Sequence, residues 1–212
     1  ARVRFEVLLA CWGWPAGWIV TILGKLLQVP TAVYVLGADA AGVPSIDYGI
    51  FHRPFLRRIA TWTYCQTDLL LAITNYQKNQ LIGFGINRPV CVVPWGVDPS
   101  EYTFKRKCPG DALHFIHVGH LSLVKDQATL LRAFAIINER KPSDLVIFGA
   151  DCLNGEMQRL AQALKIEKNV TFRDMVPYGE MPMHYLGADV MLHTSLSEGQ
   201  SMALTEAAAS GV

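Results

Sequence analysis

The segment LHFIHVGHLSLVKDQATLLRAFAIINERKPSDLVIFG, residues 113–149, predicts a strand, a helix and a second strand. The two strands are the apolar, β-branched runs at 113–118 and 144–149. Between them, apolar residues repeat with a period of 3.6, as on one face of a helix. Two strands joined by one helix form a βαβ unit, in which the strands are parallel. The apolar residues on that helix face are Leu130, Leu131, Phe134 and Ile137.

The same alternation of short apolar runs and longer helical patterns continues in both directions along the chain. It predicts an α/β fold whose parallel sheets are covered by helices on both faces. The strand candidates are FEVLLA (5–10), TAVYVL (31–36), LLLAIT (69–74), VCVVP (90–94), LHFIHV (113–118), DLVIFG (144–149), NVTF (169–172) and DVMLHT (189–194). The helix candidates are 15–28, 54–64, 75–83, 126–139, 154–165 and 179–187.

One segment, EYTFKRKCPGD at 101–111, breaks this rhythm with three consecutive basic residues followed by Pro and Gly, which is typical of an exposed linker. We therefore expect two doubly wound, Rossmann-like lobes. The first comprises residues 1–104, the linker 105–111 and the second lobe 112–212. Because ligands bind beyond the carboxyl ends of parallel strands, the crevice between two such lobes is the expected site.

Composition and charge exclude several classes of protein. Hydrophobic residues make up 51% of the 212 residues and charged residues 17%, which fits buried strands rather than disorder. The net charge of +1 carries no signature of nucleic-acid binding, although the first 110 residues hold 11 basic and 6 acidic side chains. Five cysteines lack paired spacing, which indicates a reducing compartment. The uncharged run at 7–23 contains Pro and Gly and falls short of a membrane span, so we expect a cytoplasmic protein.

The end of the chain, SEGQSMALTEAAASGV at 197–212, places two carboxylates around a helix start. Ser201 is a suitable N-cap for a helix that contains Glu206, and Glu198 precedes it. Backbone amides near such a start bind anions, phosphate included. The simpler alternative is a charge favoured by the helix dipole followed by a solvated helix residue.

Four segments carry a family resemblance: WGWPAGWIVTILGKLLQVPTAVYVLGAD (12–39), VVPWGVDPSEY (92–102), VGHLSLVKDQATLLRAF (118–134) and ADVMLHTSLSEG (188–199). Together with the E-x7-E formed by Glu198 and Glu206, they resemble the retaining glycosyltransferases of the GT-B fold, family 4 type. The similarity runs over nearly the whole chain. Compared with that family, the chain looks like the middle of an enzyme, with both lobes incomplete.

The resemblance implies a role for each matching residue. Glu206 corresponds to the glutamate that accepts hydrogen bonds from the ribose hydroxyls of the nucleotide, and Glu198 to the one that faces the donor sugar. Lys125, with backbone amides at 199–201, corresponds to the groups that stabilise the departing diphosphate. On this basis Glu198 and Lys125 are the candidate catalytic residues. The candidate donor-binding residues are Gly119, His120, Lys125, Glu198, Gly199, Gln200, Ser201 and Glu206, and Gly37 and Asp39 are candidates for the cleft of the first lobe.

The resemblance also implies a nucleotide-sugar as co-substrate, an unknown acceptor, and neither metal ion nor other cofactor. No Asp-x-Asp triplet of metal-dependent glycosyltransferases occurs in the chain. Four positions depart from the family pattern, two of which, Asp151 and Asp174, stand where the family has glycine. His120 replaces the usual Arg, which predicts weaker or pH-dependent phosphate binding. Leu36 replaces a frequent His beside the reacting sugar.

Other functions are alternatives to the glycosyltransferase. His114, His117 and His120 suggest a metal site, but side chains at 114 and 117 of a strand point to opposite faces. A dehydrogenase lacks its G-x-G-x-x-G here. A GT-B nucleotide-sugar epimerase conflicts with the E-x7-E, and a non-catalytic nucleotide- or sugar-binding fragment remains an open alternative.

The segment FHRPFLRRIATWTY (51–64) mixes arginines with aromatic residues. This composition permits a weak peripheral contact with an anionic membrane, and the simpler alternative is an ordinary solvated helix face.

Overall fold

Two parallel four-stranded sheets form the framework of the described residues, 4–105 and 110–212, in this computed structural model. The first sheet has the strand order β1-β2-β3-β4 and the second β7-β6-β5-β8. The strands are β1 Leu8–Cys11, β2 Thr31–Val35, β3 Leu69–Ala72, β4 Cys91–Val92, β5 Leu113–Val118, β6 Ser143–Phe148, β7 Val170–Arg173 and β8 Val190–Met191.

Helices connect successive strands, as the alternating pattern predicts. All the strand and helix candidates are confirmed, most of them with ends shifted by up to three residues. β4 and β8 are the shortest strands, with two residues each. The helices are α1 Trp18–Leu27, α2 Pro54–Gln66, α3 Asn75–Gly83, α4 Gln127–Arg140, α5 Glu156–Ala163, α6 Met181–Gly187 and α7 Met202–Ala209.

The chain divides into two compact units. The first unit comprises Ala1–Trp95 together with Ser197–Gln200, and the second comprises Gly96–Leu196 together with Ser201–Val212. The predicted linker lies within the second unit at its described positions, and its residues 106–109 lie outside the described part of the chain.

The βαβ unit predicted at 113–149 forms in the second unit. β5 and β6 pair in parallel, with Ile116 opposite Val146. The predicted apolar face of α4 is the buried one, and Leu130, Leu131 and Phe134 are completely inaccessible to solvent. Such burial removes apolar surface from water and is the main contribution to the stability of the unit.

The first unit has its own core, built on the centre of its sheet. Val33 and Val35 of β2 and Leu70 of β3 are fully buried, as is Tyr64 of α2. The Tyr64 hydroxyl donates a 2.6 Å hydrogen bond to the carbonyl oxygen of Asp39, so its one polar group is satisfied inside the core. This bond ties α2 to the turn that follows β2.

Candidate functional site

Two glycines meet where β5 and β6 of the second unit end. The amide of Gly119 donates a 2.8 Å hydrogen bond to the carbonyl oxygen of Phe148. A Cβ on Gly149 would lie 2.3 Å from the carbonyl oxygen of Gly119, a distance that no side chain tolerates. Glycine at 149 therefore lets the two strand ends approach closely and leaves their backbone accessible to a ligand.

The loop after Gly119 is held by one buried amide side chain, Gln127 at the start of α4. Its Oε1 accepts a 3.2 Å hydrogen bond from the amide of Ser122, and its Nε2 donates a 2.9 Å hydrogen bond to the carbonyl oxygen of His120. Gln127 is 1% exposed. The loop conformation beside the strand end is thus fixed from inside the protein.

His117, the penultimate residue of β5, is completely buried beneath the same loop. Its Nδ1 is 2.9 Å from the carbonyl oxygen of Leu192, and because a carbonyl only accepts, Nδ1 carries the proton. Its Nε2 then accepts a 3.1 Å hydrogen bond from Nε2 of Gln127. His114, on the opposite face of β5, is bonded instead to the carboxylate of Asp144 at 2.7 Å. The two histidines do not converge, as the strand geometry predicts.

Lys125 lies beside Gly119, in the short turn before α4. Its Cε is 3.4 Å from the position that a Cβ on Gly119 would occupy. The turn is anchored by Thr194, whose single hydroxyl proton is shared between the carbonyl oxygens of Lys125 at 3.1 Å and Asp126 at 2.9 Å. The aliphatic part of the Lys125 side chain therefore lies at the end of β5, where its ammonium group would stabilise an anionic ligand.

Glu206 is the buried acid of the second unit. It lies on α7, which begins after Ser201; the Ser201 hydroxyl accepts a hydrogen bond from the amide of Leu204, so the predicted N-cap is confirmed. Glu206 is only 6% exposed, which contradicts the alternative of a solvated helix residue. Its Oε2 accepts a 2.8 Å hydrogen bond from the hydroxyl of Tyr185 on α6. Burial, followed by this hydrogen bond, raises the pKa of Tyr185, so the hydroxyl remains a donor.

A cavity of about 290 Å³ joins the strand ends to Glu206. The backbone at Gly119 and Gly149 contributes polar groups to its lining, and most of the lining side chains are apolar. Small-molecule sites combine a mostly apolar lining with a few placed polar groups in this way. The other lining residues are Val118, His120, Phe148, Met175, Val176, Tyr178, Met181, Ala203 and Glu206.

In the first unit, Asp39 is buried after β2 and acts as an acceptor for three backbone amides. Its Oδ2 accepts from Gly13 at 2.9 Å, and its Oδ1 accepts from Leu36 at 3.1 Å and from Gly37 at 2.8 Å. Burial raises the pKa of the Asp39 carboxyl, and the amide hydrogen bonds oppose that shift. Asp39 thereby shapes the Gly37 turn from inside the fold.

Gly199 packs against that turn. A Cβ at Gly199 would lie 2.3 Å from the carbonyl oxygen of Leu36, so the backbone contact requires glycine. The Thr74 hydroxyl donates a 2.9 Å hydrogen bond to the carbonyl oxygen of Gly199. Gln200 is bound to the backbone of Trp95 through both ends of its amide, at 3.0 Å and 2.7 Å.

Glu198 precedes this contact and is partly buried. The negative charges of Glu198 and Asp39 both act on Tyr48, whose pKa is raised mainly by burial and then by these two carboxylates. The candidate residues Glu198, Gly199, Gln200, Gly37 and Asp39 thus belong to one group in the first unit. The second group, in the second unit, comprises Gly119, His120, Lys125, Ser201 and Glu206.

Sequence reasoning missed the side chains that support these groups. Gln127 and Tyr185 hold the cavity loop and Glu206, and Thr74 holds Gly199. Thr74 begins α3 as an N-cap, which sequence can suggest, but its contact with Gly199 spans 125 positions. Within the described residues, no group of three or more His, Cys, Asp or Glu side chains could hold a metal ion.

Solved structures similar to this chain include HepE of Anabaena in complex with UDP and glucose, with a TM-score of 0.76 and 18% identity over 97% of this chain and 57% of that one. Sucrose-phosphate synthase of Thermosynechococcus elongatus gives a TM-score of 0.76 and 15% identity over 96% and 53%. The fold is therefore that of the GT-B glycosyltransferases, as the sequence predicts.

Two family models match adjoining parts of the chain: Glycosyl transferases group 1 over residues 99–212, and Glycosyltransferase Family 4 over residues 1–101. The chain belongs to the glycosyl transferases of group 1. A curated relative, D-inositol 3-phosphate glycosyltransferase of Corynebacterium jeikeium, is 28% identical over 93% of this chain and 52% of its own length. Alpha-monoglucosyldiacylglycerol synthase of Streptococcus pneumoniae is 30% identical over 45% of this chain and 22% of its own length. The chain spans about half the length of the first of these relatives.

Among the helices of the described residues, none has both the length and the apolar character needed to cross a membrane.

Proposed function

We propose that this chain is the donor-binding and catalytic part of a retaining glycosyltransferase, which transfers the sugar of a UDP-sugar donor to an acceptor and releases UDP. The observation that carries the proposal is the buried carboxylate of Glu206, held by Tyr185 on the wall of a cavity at the end of β5. Parallel α/β sheets bind ligands at this edge. The UDP-bound state of HepE supports the choice of nucleotide.

In this proposal Glu206 accepts hydrogen bonds from the ribose hydroxyls. A carboxylate has two oxygens with four acceptor positions, and Tyr185 occupies one of them on Oε2. The remaining positions suit a diol. The apolar wall that includes Met175 and Met181 would then pack on the flat face of the base.

Phosphate stabilisation is assigned to Lys125 and to backbone amides at 199–201. Lys125 lies beside Gly119 at the strand end, where its positive charge would counter the negative charge that develops on a departing diphosphate. Glu198 is assigned to the donor sugar, where a carboxylate holds hydroxyls and offsets positive charge at the anomeric carbon. With these groups in place, the reaction requires neither a metal ion nor another cofactor.

Calorimetric titration tests the donor site. UDP, GDP and ADP would be titrated into the chain, into Glu206→Gln, which retains an acceptor for Tyr185, and into Glu206→Ala. The control is Glu139→Ala, an exposed acid on α4. We expect UDP to bind, the control to match the parent, and both Glu206 variants to lose at least about tenfold in affinity, since a hydrogen bond to a charged group contributes about 1.5–3 kcal/mol. Folded protein without nucleotide binding would contradict the proposal.

Transfer and stereochemistry need a separate measurement on the full-length protein. The activity is expected to fall by orders of magnitude in Glu198→Gln and in Lys125→Met. The anomeric configuration of the product, read by proton NMR at the earliest turnover, should match that of the donor. An inverted product would reject the retaining mechanism while leaving the donor site intact.

The proposed location follows from the same resemblance. We expect a cytoplasmic enzyme that touches the inner membrane face weakly through the basic segment 51–64. Sedimentation with vesicles rich in phosphatidylglycerol tests this contact, which should be present at low salt and lost as salt is added. Absence of binding even at low salt would remove the membrane from the proposal.

A further inference from the structure

The beginning of α2 in the first unit carries positive charge without compensation. Arg57 and Arg58 lie within the first five residues of the helix, and its first turn contains no acidic residue. A helix N-terminus is already the positive end of the helix dipole, so cations there are unfavourable. Within the described part of the chain no ion pair of either arginine is found, whereas Arg53, just before the helix, pairs with Asp47.

These two arginines line an open cavity of about 600 Å³, a size typical of small-molecule sites. None of its lining residues is acidic. The side of α2 that forms one wall runs from Arg58 through Thr61 to Cys65, at helical spacings of three and four. The cavity shares no lining residue with the one at Glu206.

Aromatic rings form the rest of the wall. Phe51 and Phe84 stack with their ring centroids 4.3 Å apart, and Trp62 lines the same cavity while remaining 40% exposed. The guanidinium of Arg57 donates a 3.5 Å hydrogen bond to the carbonyl oxygen of Phe84. This contact is long, which leaves the other guanidinium donors of Arg57 available.

Two uncompensated guanidinium groups beside aromatic rings match one ligand chemistry. Guanidinium groups bind phosphate oxygens through paired, charge-assisted hydrogen bonds, and aromatic rings bind sugar faces or alkyl chains. We propose that this cavity binds a phosphorylated small molecule, with Arg57 and Arg58 on the phosphate and Trp62 against the remainder. The phosphate belongs either to a soluble sugar phosphate or to a lipid headgroup. The proposal does not depend on the donor site; its lipid form rests on the membrane contact proposed for residues 51–64.

Cys65 supplies a reporter inside the cavity, because it is a free, exposed cysteine among the lining residues. The rate of its alkylation by iodoacetamide would be followed by peptide mass mapping. Cys152, exposed in the second unit, is the internal control. The probes are glucose 6-phosphate and dihexanoylphosphatidylglycerol, each compared with its unphosphorylated analogue, glucose or dihexanoylglycerol.

We expect one phosphorylated probe to slow alkylation of Cys65 at least about fivefold without affecting Cys152. Arg57→Gln/Arg58→Gln should weaken that probe at least about tenfold, since two charge-assisted contacts are lost. The control, Arg132→Gln/Arg140→Gln, removes the same charge from exposed positions of α4 and should match the parent. Arg58→Gln alone, which keeps the Arg57 contact with Phe84, serves if the double variant unfolds.

The two probes separate the sources of the phosphate. Protection by glucose 6-phosphate identifies a soluble ligand, and protection by the lipid alone identifies a headgroup. Absence of protection by both probes would overturn the proposal, as would equal protection in the arginine variants. Nucleotide titration is independent of Cys65, so a failed donor site and a failed phosphate cavity are distinguishable.

Discussion

The hydroxyl of Tyr185 donates a 2.8 Å hydrogen bond to Oε2 of Glu206, and both side chains are buried in the second unit. A buried carboxylate with one fixed donor has a defined orientation, and its second oxygen keeps its acceptor positions. Tyr185 is therefore a positioning residue for the acid on which the proposed donor site depends. This relationship joins α6 to α7.

Tyr185→Phe tests that relationship. Because the carboxylate loses its donor while remaining buried, we expect the free energy of unfolding to fall by about 2 kcal/mol, measured by urea denaturation. UDP affinity should also fall, measured by calorimetry. Tyr76→Phe is the matched control, since Tyr76 is 55% exposed on α3 and its hydroxyl accepts a 3.1 Å hydrogen bond from the neutral amide of Gln80. Equal losses in the two variants would show that Tyr185 has no special effect on Glu206.

Gly149→Ala tests the approach of the two strand ends. The added Cβ would meet the carbonyl oxygen of Gly119 at 2.3 Å, so β5 and β6 would have to separate at their carboxyl ends. We expect a loss of about 3 kcal/mol or more in the free energy of unfolding. In Gly187→Ala the added Cβ meets nothing within 4 Å, and that variant should stay within about 0.5 kcal/mol of the parent. A parent-like Gly149→Ala would mean that the strand ends do not require this contact.

Gln127→Met tests the buried amide behind the cavity loop. The substitution keeps the volume but leaves the Ser122 amide and the His120 carbonyl without their partner. We expect a loss of about 2 kcal/mol or more in unfolding free energy, because buried polar groups without partners are costly. The exposed Gln162→Met on α5 is the control and should be nearly neutral. Nucleotide affinity in Gln127→Met should decrease more than in the control.

Asp39→Asn tests a pH dependence whose sign follows from burial. Burial raises the pKa of Asp39 above its ordinary value of 3.8. The stability associated with its protonated form is then fully present below about 3.8 and is lost as pH rises through the folded-state pKa. The parent should therefore lose stability relative to Asp39→Asn as pH increases from 4 towards 7, in urea denaturation at each pH.

Asp68→Asn provides the opposite sign. Hydrogen bonds from the amide and hydroxyl of Thr31 lower the pKa of this exposed carboxyl. Its contribution to stability is present above pH 3.8 and is lost as pH falls through the folded-state pKa. The two variants should thus differ from the parent with opposite pH slopes. The same slope in both would contradict the assignment of burial as the dominant effect at Asp39.

The sequence by itself determined the α/β architecture, because hydrophobic period is a local property. The repeat at Leu130, Leu131 and Phe134 specified which face of α4 is buried, and Ser201 marked the start of α7. The family motifs identified Glu206 and Gly119, which line one cavity. Each of these features was identified from residues that lie close together in the sequence.

Only the tertiary structure decided the surroundings of those residues. The same spacing that predicts a helix is compatible with a solvated or a buried Glu206, and packing against α6 places it inside with Tyr185 as its donor. Likewise, Gly199 packs against the carbonyl oxygen of Leu36, and its own carbonyl oxygen accepts a hydrogen bond from Thr74, 125 positions away. Side-chain direction and partner choice arise from long-range packing, which no local pattern encodes.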